Sequence, residues 1–313
     1  MFARATPLPP WSVLGLLLSA LWFLLPEAAG AEEPVPAKVR VAITFDDLPA
    51  SAALPPGYDS ERLLSELIAT LKAHGVRNAT GFVIGARVAE ERSGSSALLR
   101  WVAAGHEVGN HSYSHHSFEE LGDGYFRDVA RMALALRPLE ARQRMRFFRY
   151  PYLQEGRTAA ERKLLFSGLS QLGYTLARVS MDFRDWEWAD AYNRCLARGA
   201  SAELATLRAS YLQQATAAFS WTLEATEQLL HRPLTHVLLL HANVATAHNL
   251  DALLTAYEKL GAEFVPLTEA LADPIYTADY RGREGTLLTL LSHEHDRPLP
   301  PMPPRPELST FCQ

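Results

Sequence analysis

A chain of 313 residues, 48% hydrophobic and 21% charged with a formal net charge of −5, has the composition of a folded globular protein. The mild acidic balance excludes the basic face that nucleic acid or an anionic membrane would require. Two cysteines are too few for a zinc ribbon, paired CxxC knuckles or a disulfide-dense scaffold, so any metal must be held by His, Asp or Glu.

The chain opens on a targeting pattern. Arg4 precedes an apolar run from Trp11 to Leu25, and Ala29-Gly30-Ala31 offers a small-residue cleavage site. That run is about 15 residues, short of the roughly 20 needed to cross a bilayer. Residues 1–31 are therefore read as a signal peptide, with a retained N-terminal anchor as the alternative. Cleavage implies a periplasmic or secreted protein with no stable membrane association.

The body follows from about Lys38, and apolar runs of strand length alternate with amphipathic stretches. Val39–Phe45 is the first strand and ends at two aspartates. From Ser60 to His74, apolar residues at Leu63, Leu64, Leu67, Ile68 and Leu71 keep a helical period that stops at Gly75. Thr80–Ile84 is a second strand, Ala97–Ala104 a short helix and Glu107–Asn110 a brief third strand. Phe118–Leu136 is helical, Arg146–Arg149 is a fourth strand, Thr158–Leu172 another helix and Thr175–Val179 a fifth strand. An Ala- and Leu-rich stretch from about Ala202 to His231 makes one or two helices. Thr235–Leu240 is the sixth strand, Leu250–Leu260 a helix and Glu263–Val265 the seventh strand. The proline-rich run Arg297–Pro306 reads as an extended tail. Export permits a Cys195–Cys312 disulfide that would staple this tail to the body, with two unpaired thiols as the alternative.

Strand–helix alternation predicts right-handed crossovers and a parallel sheet. Seven such units without an internal repeat or linker predict one closed or nearly closed barrel of the TIM type over 38–290, with a helical insertion between strands five and six and a tail over 291–313. An open doubly wound sheet is the competing architecture. No glycine-rich phosphate loop follows any strand, which removes the main support for nucleotide binding.

In a parallel barrel the functional side chains belong at the C-terminal ends of strands. Asp46 and Asp47 follow strand one, His111 and His115 strand three, Arg149 and Tyr152 strand four, Asp182, Asp185 and Trp186 strand five, and His241 strand six. Adjacent aspartates can be a helix cap, and a lone H-x-x-x-H arises by chance in a chain with 11 histidines. Gly109-Asn110 and the serines between His111 and His115 argue for a turn there. One carboxylate with two neutral imidazoles suits zinc or a similar divalent ion and leaves positions open for water.

Together these residues resemble the polysaccharide deacetylases, the NodB homology domain of carbohydrate esterase family four. The resemblance rests on Thr44-Phe45-Asp46-Asp47, on His111-Ser112-Tyr113-Ser114-His115, on Arg149-Tyr150-Pro151-Tyr152, on Asp182-Phe183-Arg184-Asp185-Trp186 and on Leu239-Leu240-His241, in that order. It implies a distorted (β/α)7 barrel and removal of acetyl groups from N-acetylated oligo- or polysaccharides, using a divalent metal, most simply Zn2+, with Co2+ or Ni2+ as alternatives. By the same resemblance Asp47, His111 and His115 would be metal ligands, Asp46 the general base oriented by Arg149, and His241 the general acid paired with Asp185. Asp182 would serve the same network less directly, the Tyr152 backbone N–H would contribute to an oxyanion hole, and Trp186, Leu239 and Pro151 would wall the acetyl pocket. Such a base and acid predict a bell-shaped pH profile for kcat/KM. Two departures stand out. Gly81 occupies a position where many relatives carry an aromatic, which is read as a packing change. The insert over about 187–234 would cap the cleft or pack on the barrel side, and Tyr211, Phe219 and Trp221 at helical spacing favour packing. Within the same fold, hydrolysis of O-acetyl esters or of another linear amide is the alternative, and a catalytically silent glycan-binding protein is the alternative from another class.

Overall fold

The computed structural model describes residues 1–3, 38–141, 143–282 and 284–313, and all but the first three residues of the expected signal segment lie outside these. Strand β1 (Val39–Leu48) is buried from Val41 onward, as expected of a strand covered on both faces. It pairs in parallel with β2 (Thr80–Val83), β6 (His236–His241) and β7 (Ala262–Val265). Beyond β2 come β3 (Glu107–Asn110), β4 (Arg146–Phe148) and β5 (Tyr174–Leu176), all parallel, in the order β5-β4-β3-β2-β1-β6. A parallel bridge between Met181, just past β5, and Leu238 of β6 joins the two ends of this path. The sheet therefore curls into a barrel, as the alternation predicted, in the distorted seven-stranded form that the resemblance implied, and the open doubly wound sheet is set aside.

The helices outside the sheet are α1 (Ser60–Ala73), α2 (Gly85–Glu90), α3 (Gly94–Ala103), α4 (Phe118–Leu121), α5 (Tyr125–Glu140), α6 (Ala159–Gln171), α7 (Trp188–Ala197), α8 (Ser201–Leu230), α9 (Val244–Lys259), α10 (Leu267–Ala270) and α11 (Leu287–His295). The single helix expected over Phe118–Leu136 is interrupted at Gly122–Gly124, where Gly122 takes φ +51°. Helix α9 begins at Val244, earlier than its apolar period suggested. Asn243 caps it by accepting from the Thr246 N–H, and the first turns carry small or polar residues that hide the pattern.

The two faces of β1 serve different purposes. Val41, Ile43 and Phe45 pack with Leu63, Leu67 and Trp101 in the main core, whereas Ala42 joins a second cluster with Phe82, Phe147 and Val237. The inward Thr44 hydroxyl donates to the Leu238 carbonyl (2.6 Å). Gly81 is explained by this packing, because a Cβ there would fall 2.3 Å from Leu48 Cδ2. The insertion is α7 followed by the 30-residue α8, and it packs rather than caps: Tyr211 and Phe219 are fully buried, and Tyr211 meets Phe183 and Trp188 edge to face. Cys195 of α7 and Cys312 are joined in a disulfide, so the tail is stapled to the body.

Candidate metal and acid–base site

A regular strand would send neighbouring side chains to opposite faces. At the end of β1 the β1–β2 register shifts between Phe45 and Leu48, and Asp47 adopts a left-handed backbone with φ +64°. This irregularity brings both aspartates to one place. Asp46 Oδ2 and Asp47 Oδ1 lie 3.6 and 3.5 Å from His111 Nε2, and Asp47 Oδ1 lies 3.3 Å from His115 Nε2.

The two histidines are carried by a turn, as the intervening serines suggested. The Asn110 side chain accepts from the Ser112 N–H, Ser112 Oγ accepts from the His115 N–H (2.9 Å), and Asp128 Oδ2 accepts from the N–H groups of Tyr113 and Ser114. Ser112 and His115 are left-handed (φ +66° and +60°), as are Tyr152 (+58°) and Arg184 (+60°) at the other site loops. Such backbone costs a non-glycine residue about 1 kcal/mol or more, so its concentration here marks a place where geometry is held against local preference.

His111 Nδ1 donates to the Arg149 carbonyl (2.9 Å), which fixes the tautomer and leaves the Nε2 lone pair free. Burial pushes both His111 and His115 down to about 4, so both imidazoles are neutral at ordinary pH. Asp47 Oδ1 is buried without any hydrogen-bond partner. The ligand atoms of Asp47, His111 and His115 all lie within 4.8 Å of one another, so this trio could hold a metal ion. A buried acceptor with no donor, facing two neutral imidazoles, is a donor set that a divalent cation satisfies.

Arg149 is fully buried and reaches across the barrel interior. Its NH1 donates to Asp46 Oδ1 (2.6 Å) and Thr44 Oγ1 (2.9 Å), its Nε donates to the Ala177 carbonyl, and its guanidinium stacks over Phe82. Burial alone would raise the Asp46 carboxyl, but Arg149, with smaller help from His111 and His241, holds it below the usual carboxylate range. Asp47, lacking such a partner, is raised by burial.

His241 ends β6, and its Nδ1 donates to Asp185 Oδ1 (2.7 Å). Asp185 is fully buried, and its Oδ2 also accepts the His241 N–H (2.8 Å) and the Thr246 hydroxyl (2.7 Å). Burial works against the imidazolium, yet Asp185, with Asp47 and Asp46 adding smaller contributions, raises His241 to about 9. Asp182 accepts the Arg184 N–H and makes no hydrogen bond to His241 among the described residues. Nearby, Leu239 and Pro151 are buried, Trp186 is 45% exposed, and the Tyr152 ring meets that of His115 edge to face at 4.6 Å. The sequence reading did not single out Thr246 and Asp128. Neither sits in a motif, and only the fold brings them to Asp185 and to the histidine turn. His106, just before β3, lies over Trp101 and accepts the Ala79 N–H.

Residues 34–177 match the family model described as polysaccharide deacetylase. Over 172 residues the chain is 29% identical to the peptidoglycan-N-acetylglucosamine deacetylase PgdA of Listeria monocytogenes, a match covering 53% of this chain and 31% of that protein. A probable peptidoglycan-N-acetylglucosamine deacetylase of Arthroderma benhamiae is 28% identical over 151 residues, covering 48% of this chain and 30% of that protein. The chain thus spans about a third of the length of these curated relatives. Among solved structures, the peptidoglycan deacetylase PdaC of Bacillus subtilis superposes with a TM-score of 0.49 at 19% identity, covering 76% of this chain and 92% of that one. A family 4 carbohydrate esterase from Bacillus anthracis gives 0.46 at 20% identity, covering 75% and 83%. The family match over residues 34–177, together with these curated relatives, supports placing the chain among the polysaccharide deacetylases.

Proposed function

We propose that this chain is an exported, metal-dependent deacetylase that hydrolyses the acetamide of N-acetylated sugars in an oligo- or polysaccharide. One observation carries the reading: a buried, unpartnered Asp47 oxygen faces two neutral imidazoles, beside an aspartate held ionised and near a histidine held protonated. In this reading Asp47, His111 and His115 hold a divalent ion, for which zinc is the simplest choice and cobalt or nickel are alternatives. When bound, the ion supplies Lewis acidity, lowering the pKa of water and polarising an acetyl carbonyl.

The chain's own groups supply the rest. Asp46, kept ionised and oriented by Arg149, takes a proton from the attacking water. His241 carries a proton because Asp185 stabilises its imidazolium, and gives it to the departing amine, which is a poor leaving group until protonated. The left-handed turn at Tyr152 offers a backbone N–H to the developing oxyanion, and a donor of this kind is worth roughly 3 kcal/mol in other enzymes. Trp186, Leu239 and Pro151 wall the acetyl group. Residues 1–31 direct export, 38–290 form the catalytic barrel and 291–313 the tail. A disulfide between Cys195 and Cys312 accords with an oxidising compartment.

The test is acetate release from chitooligosaccharides, peptidoglycan fragments and acetylated xylan, with and without chelator. Release of acetate together with free amine, lost on chelation and restored by zinc, is the expected result. Acetate without new amine would redirect the reading to O-acetyl esters. Glycan binding with no release under zinc, cobalt or nickel would make this a silent binding protein.

A further inference from the structure

The extended chain after α11 is not a loose end. The Gln228 side chain donates to the Pro298 carbonyl (2.8 Å) and the Trp221 indole N–H to the Pro300 carbonyl (3.0 Å), which lays the tail along α8. At its far end Arg194 donates to the Phe311 carbonyl (3.2 Å), and Cys312 is bonded to Cys195, both on α7. Between these anchors Arg305 NH1 donates to Glu187 Oε1 (3.4 Å). The same oxygen accepts from Arg184 Nε (2.5 Å), and the Arg184 guanidinium lies 4.9 Å from the Trp186 ring centroid. Arg184 is itself left-handed, and its N–H is held by Asp182.

We propose that the C-terminal segment is a brace for the Trp186 wall, with Arg305 as a positioning residue acting through Glu187 and Arg184. Trp186 is 45% exposed and sits in a short turn, Asp185–Glu187, that follows the left-handed Arg184, so Arg184 and Glu187 flank the ring on its open side. The turn is anchored at Asp185, and the tail adds a hold at its other end, Glu187: a charge placed between the Pro300 contact on one side and the disulfide on the other. This rests on the proposed function, in which Trp186 lines the acetyl pocket. The prediction is a binding effect, since Arg305 touches no residue of the acid–base pair or the metal trio.

The experiment compares Arg305→Ala, Arg305→Lys and Cys312→Ser in the full chain, each also in a Trp186→Ala background. Two readouts are used: steady-state kinetics on an N-acetylated chitooligosaccharide, and amide exchange over residues 182–190. An exposed pair of this kind supports at most about a fivefold effect. Arg305→Ala should therefore raise KM by about two- to fivefold with kcat nearly unchanged, Arg305→Lys should recover part of it, and the step should vanish once Trp186 is Ala. Exchange over 182–190 should rise in Arg305→Ala and further in Cys312→Ser. Cys312→Ser risks a general loss of stability, whereas Arg305, 53% exposed, can be truncated without disturbing the core. An unchanged KM in Arg305→Ala, or a step of equal size in the Trp186→Ala background, overturns the brace. If the unaltered protein releases no acetate from any glycan, the proposed function fails by itself. Exchange in Arg305→Ala then decides the brace: no change over 182–190 rejects it, and a rise confined to that segment upholds it.

Discussion

The two halves of the site are built to opposite standards of completeness. Around Asp185 every acceptor is used: His241 bonds it twice, through ring and backbone, and Thr246 adds a third donor. Around Asp47 the reverse holds, with a buried oxygen left without a donor and two imidazoles turned toward it. Leaving a buried acceptor unmet costs about 1–3 kcal/mol, so a folded chain keeps such a group where something else will satisfy it. The acid side is completed by the protein alone, whereas the other side is a donor set that a divalent cation would complete. The family match adds a second contrast. It covers the metal trio, Asp46, Arg149 and Tyr152 but stops at residue 177, before Asp185 and His241, so the acid side rests on this chain's own motif and geometry.

The largest expected effect breaks the unfinished half. Asp47→Ala or His115→Ala should lose bound metal and at least about 1,000-fold in kcat/KM, on the view that one site supplies both nucleophile activation and carbonyl polarisation; metal analysis of each purified variant alongside turnover checks this. A variant that loses its metal yet keeps its rate would separate the two and break the assignment.

Next comes the finished half. His241→Ala should keep the metal and lose about 100- to 10,000-fold in kcat, the range for a positioned proton donor. The pH profile sharpens this further. His241 must be protonated, so kcat/KM should fall as pH rises through about 9, and it should fall on the acid side as the base Asp46, held below the usual carboxylate range by Arg149, takes up a proton. Asp185→Asn removes the main cause of the raised value and should bring the alkaline limb down toward neutrality. A limb that stays at 9 in that variant would mean another group titrates there. The same shift has a stability sign: the His241–Asp185 pair contributes fully below pH 6.5 and its contribution disappears as pH rises through about 9.

The smallest effect serves as a control. His106→Ala should leave metal content and turnover within about twofold and cost about 1–2 kcal/mol of stability, since it removes a buried ring that accepts the Ala79 N–H. Burial pushes His106 down to about 4, so it withholds stability as pH falls from 6.5 toward 4. Acid melts of the variant should show a shallower slope over that interval.

Much of this was legible in the residues because the physics behind it is local. Strand β1 announced itself by a run of apolar residues ending in two aspartates, and α1 by its helical period and a glycine stop. The turn at His111–His115 could be told from a helix because Asn110 and the serines compete for backbone hydrogen bonds. What escaped notice depended on distant parts of the chain. The start of α9 carries small residues whose burial comes from α7 and α8, so no period marked it. Thr246 reaches Asp185 across an insertion of two helices, and the tail's route along α8 to Cys195 left only a pair of cysteines as its trace.

By itself, then, the order of residues determined that this chain would alternate strand and helix, and that Asp, His and Arg would gather at or just past the C-terminal ends of strands, because periodicity and turn chemistry act over a few residues. Only the tertiary structure decided that Asp46 and Asp47 would serve one site rather than opposite faces, through an irregular, left-handed step in β1. Only the tertiary structure, too, left Asp47 without a donor while giving Asp185 three, since a buried group's partners are set by whatever the closing barrel brings beside it.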